Sequence, residues 1–253
     1  MTFTLGTVTG LLTVYMLVFS RVGAMISLLP AFGDMGVPPR VRLSLALAIS
    51  LAITPAVAGF YKNIPDAPIA FAILIAQEVT SGIVIGAIAR LIMSALQVGG
   101  YLIATQTGLA FAQTVDPTMG VQGAILGTFF SLLGTVMIFA TNMHHLALGA
   151  IEGSYHMLPP GGSFPTGDLA ELAIRYTSGA FLMGMQLAAP FIVFGFVVTA
   201  AIGILARLMP QLQVFFIAMP INILAGFLIM MLLLGSMMTM FLNFYAQQMS
   251  ALL

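Results

Sequence analysis

Apolar residues run through this chain in long blocks, and polar residues are concentrated in the short stretches between them. The blocks are Leu5–Leu29, Val41–Tyr61, Ile69–Gly99, Val121–Leu148, Leu169–Leu208 and Leu212–Met249. Crossing ~30 Å of hydrocarbon takes about 20 residues of helix, so each block is long enough to span a membrane. As unbroken helices the last two would reach roughly 55–60 Å at about 1.5 Å per residue, well beyond one bilayer. Pro190 and Pro220 fall inside them and predict kinks. The pattern predicts an all-α fold: a polytopic bundle of about six long, partly kinked apolar helices.

The segments between the blocks carry turn chemistry. Pro30–Pro39 ends the first helix and is followed by Arg40 and Arg42, while Lys62–Pro68 joins the second and third. Tyr101–Gly120 is an unusual connector in which Gln106, Thr107, Gly108, Gln113, Thr114, Asp116 and Pro117 alternate with Leu109, Phe111 and Val115. Pro159–Asp168 is a polar, Gly/Pro-rich loop, and Met209-Pro210-Gln211 reads as a tight turn that makes the last two helices an antiparallel hairpin. The pairs Gly6/Gly10, Gly82/Gly86 and Gly123/Gly127 have the small-xxx-small spacing that lets helix backbones approach. Six helices place both termini on one side. Arg40, Arg42 and Arg207 then lie opposite Lys62 and Arg175, a split too even to set an orientation.

Composition turns this pattern into a membrane assignment. Seven basic and seven acidic residues make 6% of the 253 positions, whereas hydrophobic residues make 60%. A soluble domain keeps about a quarter of its residues charged. The runs Pro117–Ile151, Tyr176–Ala206 and Leu208–Leu253 carry no formal charge, so lipid or partner subunits must cover much of the surface. A net charge of zero without a basic run gives nucleic-acid binding no support. The absence of cysteine removes disulfides, thiolate chemistry and Cys-ligated metals. The first block lacks a positive start and continues past Arg21, so it reads as a mature helix rather than a cleavable signal. There are 19 Met and no Trp; the methionines suit either surfaces that repack against partners or plain lipid-facing positions.

Three polar groups invite chemistry. Arg21, Glu78 and Arg90 lie within apolar blocks, where a charge costs at least ~2.5 kcal/mol and needs protein or water around it. They are candidates for buried ion pairs, which is the preferred reading, or for an ion or substrate path. His144, His145, Glu152 and His156 resemble a ligand set. On a helix, however, His145 and Glu152 stand roughly 10 Å apart, and His145 and His156 about 16 Å, whereas zinc ligands each sit ~2 Å from one ion. Polar residues at a membrane boundary are the better reading, and no metal is expected. No nucleophile elbow, Walker loop, HExxH or dinucleotide fingerprint occurs, so neither catalysis nor a cofactor is expected. The connector Tyr101–Gly120 is too apolar to be an ordinary hydrated loop. Irregular backbone at membrane depth is tolerated when buried in protein or lining a cavity. It therefore reads equally as a re-entrant constriction of a pore or as a loop packed under neighbouring subunits.

Three stretches also carry a resemblance: SRVGAMISLLPAFGDMGVPPRVRLSLALAISLAITP at 20–55, GYLIATQTGLAFAQTVDPTMG at 100–120 with the helix through MHHLALGAIEGSYHMLPPG, and LARLMPQLQVFFIAMPINILAGFLIM at 205–230. In this order they resemble the FliR/SctT family of type III secretion export-gate components, over essentially the whole chain. The resemblance implies one copy of the chain per gate, built into a multi-subunit helical assembly with FliP and FliQ homologues. FlhB and FlhA would be further partners, and unfolded flagellar subunits the cargo. It implies a FliP-like part over 1–168, with a plug loop at about 100–122, and a FliQ-like helical hairpin over 169–253. It implies plug residues Leu109, Phe111 and Val115 with Gln106 and Gln113 beside them, and a loop shaped by Gly108, Asp116 and Pro117. Thr114 departs from the aromatic expected before Val-Asp-Pro. The implied location is the bacterial inner membrane and flagellar basal body, raised toward the periplasm, with lipid as a further neighbour. Two other readings stand: the same subunit of a virulence injectisome, and a small-solute secondary transporter. The transporter class predicts an internal repeat, and none is evident here.

Overall fold

A computed structural model of the chain describes residues 5–30, 32–33, 36–61, 64–65, 67–110, 125–162, 166–209 and 214–253. Among these residues the secondary structure is helical, without strands: α1 (Leu5–Leu28), α2 (Pro39–Val57) continued by a 3-10 turn (Ala58–Phe60), α3 (Pro68–Gln106), α4 (Ile125–Ala140), α5 (His144–Met157), α6 (Thr166–Leu208) and α7 (Val214–Ser250). Five stretches are long and apolar enough to cross a membrane: Gly10–Leu28, Pro39–Phe60, Pro68–Gln106, Leu169–Leu208 and Ala218–Ser250. A sixth is made if α4 and α5 together form one span.

The fourth block is therefore two helices rather than one. It breaks at Thr141-Asn142-Met143, where Asn142 adopts a left-handed backbone with φ 59°. Asparagine tolerates this conformation better than other residues with a side chain. Its carbonyl accepts from the His145 backbone at 3.2 Å and lies 3.1 Å from His145 Nδ1. The third block also runs further than expected, because α3 continues through Gly99-Gly100 to Gln106. The helices α6 and α7 pass through Pro190 and Pro220 without a break. Residues 210–213, where the hairpin turn is expected, lie outside the described residues.

The chain divides into two compact units: Met1–Ile92 with Thr141–Tyr176 and Ala246–Leu253, and Met93–Ala140 with Thr177–Tyr245. In the first unit, α1 buries Val14, Leu17, Val18, Arg21, Val22, Met25, Ile26 and Leu29. These positions repeat at three and four residues, the stripe of a helix facing a core. On α2 the buried stripe is Ala46, Ser50, Thr54 and Val57, and its hydroxyls are satisfied within the helix, Ser50 donating to Ala46 and Thr54 to Ser50, each at 2.6 Å. Gly82 and Gly86 mark the crossing of α3 over α1. A Cβ at Gly86 would lie 2.8 Å from Leu28 Cβ and 2.9 Å from the Met25 carbonyl oxygen, and one at Gly82 would meet the Arg21 carbonyl. The expected close-packing role holds for this pair, whereas Gly10 faces open space.

In the second unit the core is built from Leu96, Ile103, Phe130, Met183, Leu187, Phe191, Phe241 and their neighbours. Here α3 crosses α4 at Gly100, where an added Cβ would stand 2.5 Å from the Gly127 backbone. The Gly99-Gly100 pair thus serves a close approach and does not end the helix. The outer faces of α6 and α7 remain bare: Phe196 is 75% exposed and Leu232 81%.

Candidate functional site

The densest polar chemistry among the described residues lies inside the first unit. Arg21, in the middle of the apolar stripe of α1, is fully buried, and so is Glu78 of α3. Arg21 Nε donates to Glu78 Oε2 at 2.7 Å and Nη2 to Oε1 at 3.1 Å, a bidentate fork. The remaining guanidinium donors reach the end of α5. Nη1 donates to the Ser154 carbonyl and hydroxyl oxygens at 3.0 and 3.3 Å, and Nη2 to the Leu158 carbonyl at 2.8 Å. All five N–H groups of the arginine are thus directed at acceptors. Its Cζ lies 4.0 Å from the ring centroid of Tyr155, a cation–π contact in a dry setting. Tyr61 donates to Glu78 Oε2 at 2.9 Å, so one carboxylate gathers a donor from α1 and another from the end of the 3-10 turn.

Tyr61 lies just past the second apolar span. Burial first, then the neighbouring Tyr155 and the Glu78 carboxylate, push its phenol above the usual tyrosine range, so it remains a donor. Tyr61 also lines a cavity of about 540 Å³ with Phe60, Ile73, Leu74, Gln77 and Pro160. The third intramembrane charge behaves differently: Arg90 is exposed on α3, 12 residues or about 18 Å beyond Glu78 at the helical rise. Glu152 and His156 are exposed on α5, with His156 edge-on to Phe60 at 5.0 Å, and His144 and His145 lie with ring centroids 4.2 Å apart. Among the described residues no group of three His, Asp or Glu is placed to hold a metal.

Of the residues singled out around the connector, the described ones sit in the second unit. Gln106 closes α3, Gly108 has a left-handed φ of 78°, and Leu109 lines a small void with Ile103, Leu126, Ile223 and Phe227. Phe111, Gln113, Thr114, Val115, Asp116 and Pro117 lie outside the described residues. Sequence reasoning passed over Tyr61, Ser154 and Tyr155, since a lone hydroxyl in an apolar block carries no spacing signal. It also passed over Asn222 of α7, whose Nδ2 donates to the Gln106 carbonyl at 3.4 Å. An uncharged amide eleven residues past the Pro-Gln turn was its only mark.

An all-α chain with five or six long apolar helices, bare outer faces and a fully used internal arginine clamp is a polytopic membrane protein. The profile of the family described as bacterial export proteins, family 1, matches residues 12–248. The chain belongs to that family. It is similar to the flagellar biosynthetic protein FliR of Caulobacter vibrioides, 40% identical over 83% of this chain and 84% of that one. The flagellar biosynthetic protein FliR of Escherichia coli is 32% identical over 87% of this chain and 83% of its own. The Yop proteins translocation protein T of Yersinia pestis is 27% identical over 72% of this chain and 70% of its own.

Proposed function

We propose that the chain is a non-enzymatic subunit of the flagellar type III protein export gate, forming with FliP and FliQ homologues the gated channel for unfolded flagellar subunits. The observation that carries this reading is the 40% identity to a flagellar biosynthetic protein over most of both chains. The bare apolar faces of α6 and α7 support it, because a chain built this way needs either lipid or other subunits around it. FlhB and FlhA are the further partners, and the bacterial inner membrane at the flagellar basal body is the location. In this reading 1–168 is the FliP-like part and 169–253 the FliQ-like hairpin. The constriction belongs to Leu109, Phe111 and Val115 with Gln106 and Gln113, on a loop shaped by Gly108, Asp116 and Pro117. Arg21 and Glu78 serve the architecture rather than the conduit.

The likeness to a Yop translocation protein favours one second reading, the equivalent subunit of a virulence injectisome. Complementation separates the two. In a flagellate strain lacking its own copy, this chain should restore secretion of hook and filament subunits. Restoration of injectisome secretion in place of flagellar secretion would favour the second reading, and restoration of neither would remove both.

A further inference from the structure

The C-terminal end of α3 is gripped by the other long helices of its unit. A helix leaves its last carbonyls without intrahelical partners, and here the Gln106 carbonyl accepts from Asn222 Nδ2 of α7 at 3.4 Å. One turn along α7, on the same face, Gly226 lies against Thr107, and an added Cβ there would collide with the threonine methyl. That methyl is presented because Thr107 turns its hydroxyl back to the Ile103 carbonyl at 2.9 Å. On α6, Gly195 makes the same allowance for the Gln106 side chain. The chain then bends at Gly108, whose left-handed φ of 78° side chains rarely adopt. A built Cβ at Gly108 would lie 3.5 Å from Asn222 Nδ2. Leu109 follows, lining a small void together with Ile223 and Phe227 of α7.

One end of this grip is left open. Among the described residues, Asn222 Oδ1 is buried and has no hydrogen-bond partner. A joint built only for rigidity would use both ends of the amide, since a buried acceptor left unpaired is unfavourable. Among the described residues the contact is thus specific without being fully satisfied.

We propose that the Asn222–Gly226 face of α7 is a positioning seat for residues 106–109, with Gly108 as pivot, and that it sets the direction in which the chain leaves α3. The proposal rests on the reading that places Leu109 at the start of a pore constriction, and it adds Asn222, Gly226 and Gly195 as the residues that aim it.

The chain has no cysteine, so with Thr107→Cys in the full-length, assembled complex, label read on this chain alone reports on the seat. Its labelling by N-ethylmaleimide should be slow, as Thr107 is only 4% exposed. Adding Asn222→Asp, which keeps the shape and removes the donor, should speed labelling about three- to tenfold, the scale of one hydrogen bond. Gly226→Leu should do at least as much. A reference Ala150→Cys, fully buried in the other unit, should stay slow. Fast labelling before any seat mutation, no acceleration by either variant, or equal acceleration at Ala150→Cys would overturn the seat. If Gly226→Leu fails to assemble, the near-isosteric Asn222→Asp decides.

Idle ion conductance then tests the aiming role. Both seat variants should leak. If a Gly/Ser replacement of Leu109–Val115 leaks and the seat variants do not, the aiming role is wrong. If that replacement itself does not leak, the constriction reading falls while labelling still judges the seat.

Discussion

Arg21 Nε and Glu78 Oε2 lie 2.7 Å apart, joined across 57 residues of sequence inside a fully buried pocket. Nη2 completes the fork to Glu78 Oε1, and the other donors of that arginine are aimed at the end of α5, so one side chain ties α1 to α3 and to the Ser154–Leu158 stretch. Removing one partner of such a pair strands the other charge in a dry interior, which costs about 3–5 kcal/mol. Arg21→Ala and Glu78→Ala should therefore both lower the amount of folded, detergent-resistant complex sharply. Exchanging the charges, Arg21→Glu with Glu78→Arg, should not rescue it, because the Ser154 and Leu158 carbonyls would lose their donors. Quantitative complex yield with thermal unfolding in detergent measures both; a full rescue by the exchange would show that the pair alone matters.

Tyr61 tests the outer edge of the same cluster. Its hydroxyl donates to Glu78 at 2.9 Å, and hydrogen bonds to charged groups contribute about 1.5–3 kcal/mol. Tyr61→Phe should lower the thermal midpoint of the complex measurably, by less than Glu78→Ala does, while leaving assembly intact. An unchanged midpoint would place the hydroxyl outside the clamp.

The glycine crossing of α1 and α3 gives a graded expectation. Gly86 has Leu28 Cβ within 2.8 Å of a built Cβ, whereas nothing lies within 4 Å at Gly10. Overpacking costs about 1–3 kcal/mol, so Gly86→Leu should destabilise the first unit by that order. Gly10→Leu should stay within about 0.5 kcal/mol of the parent, as open surface sites do. Equal effects at the two sites, read by thermal unfolding, would contradict the crossing.

These residues also mark how far the sequence could be read. The apolar blocks were plain because each is long and sparsely charged, and α1, α2, α6 and α7 follow them closely. The break at Asn142 was not plain. Thr141-Asn142-Met143 is a brief polar dip between two apolar stretches, and only the left-handed φ of Asn142 turns it into an end. Gly99-Gly100 misled in the opposite direction, since glycine marks either a helix end or a close approach and nothing local distinguishes them. Arg21, Glu78 and Arg90 stood out together as intramembrane charges. That Arg21 joins Glu78 was hidden because the fork is set by the α1–α3 crossing, and two of the arginine's acceptors are backbone carbonyls that leave no trace in the sequence.

Within the proposed function, Leu109–Val115 should hold the idle gate shut against ions. Replacing that stretch with Gly/Ser should raise the ion conductance of the assembled complex in planar bilayers. Conductance at the parental level would remove the constriction from these residues.

The central claim is that this chain is one subunit of a hetero-oligomeric export gate, and the bare faces of α6 and α7 are what partner subunits would cover. Native mass spectrometry of the chain co-expressed with its FliP and FliQ homologues tests this most directly. A single discrete complex holding one copy of this chain is the predicted result. A stable monomer or homodimer that ignores both partners would contradict it.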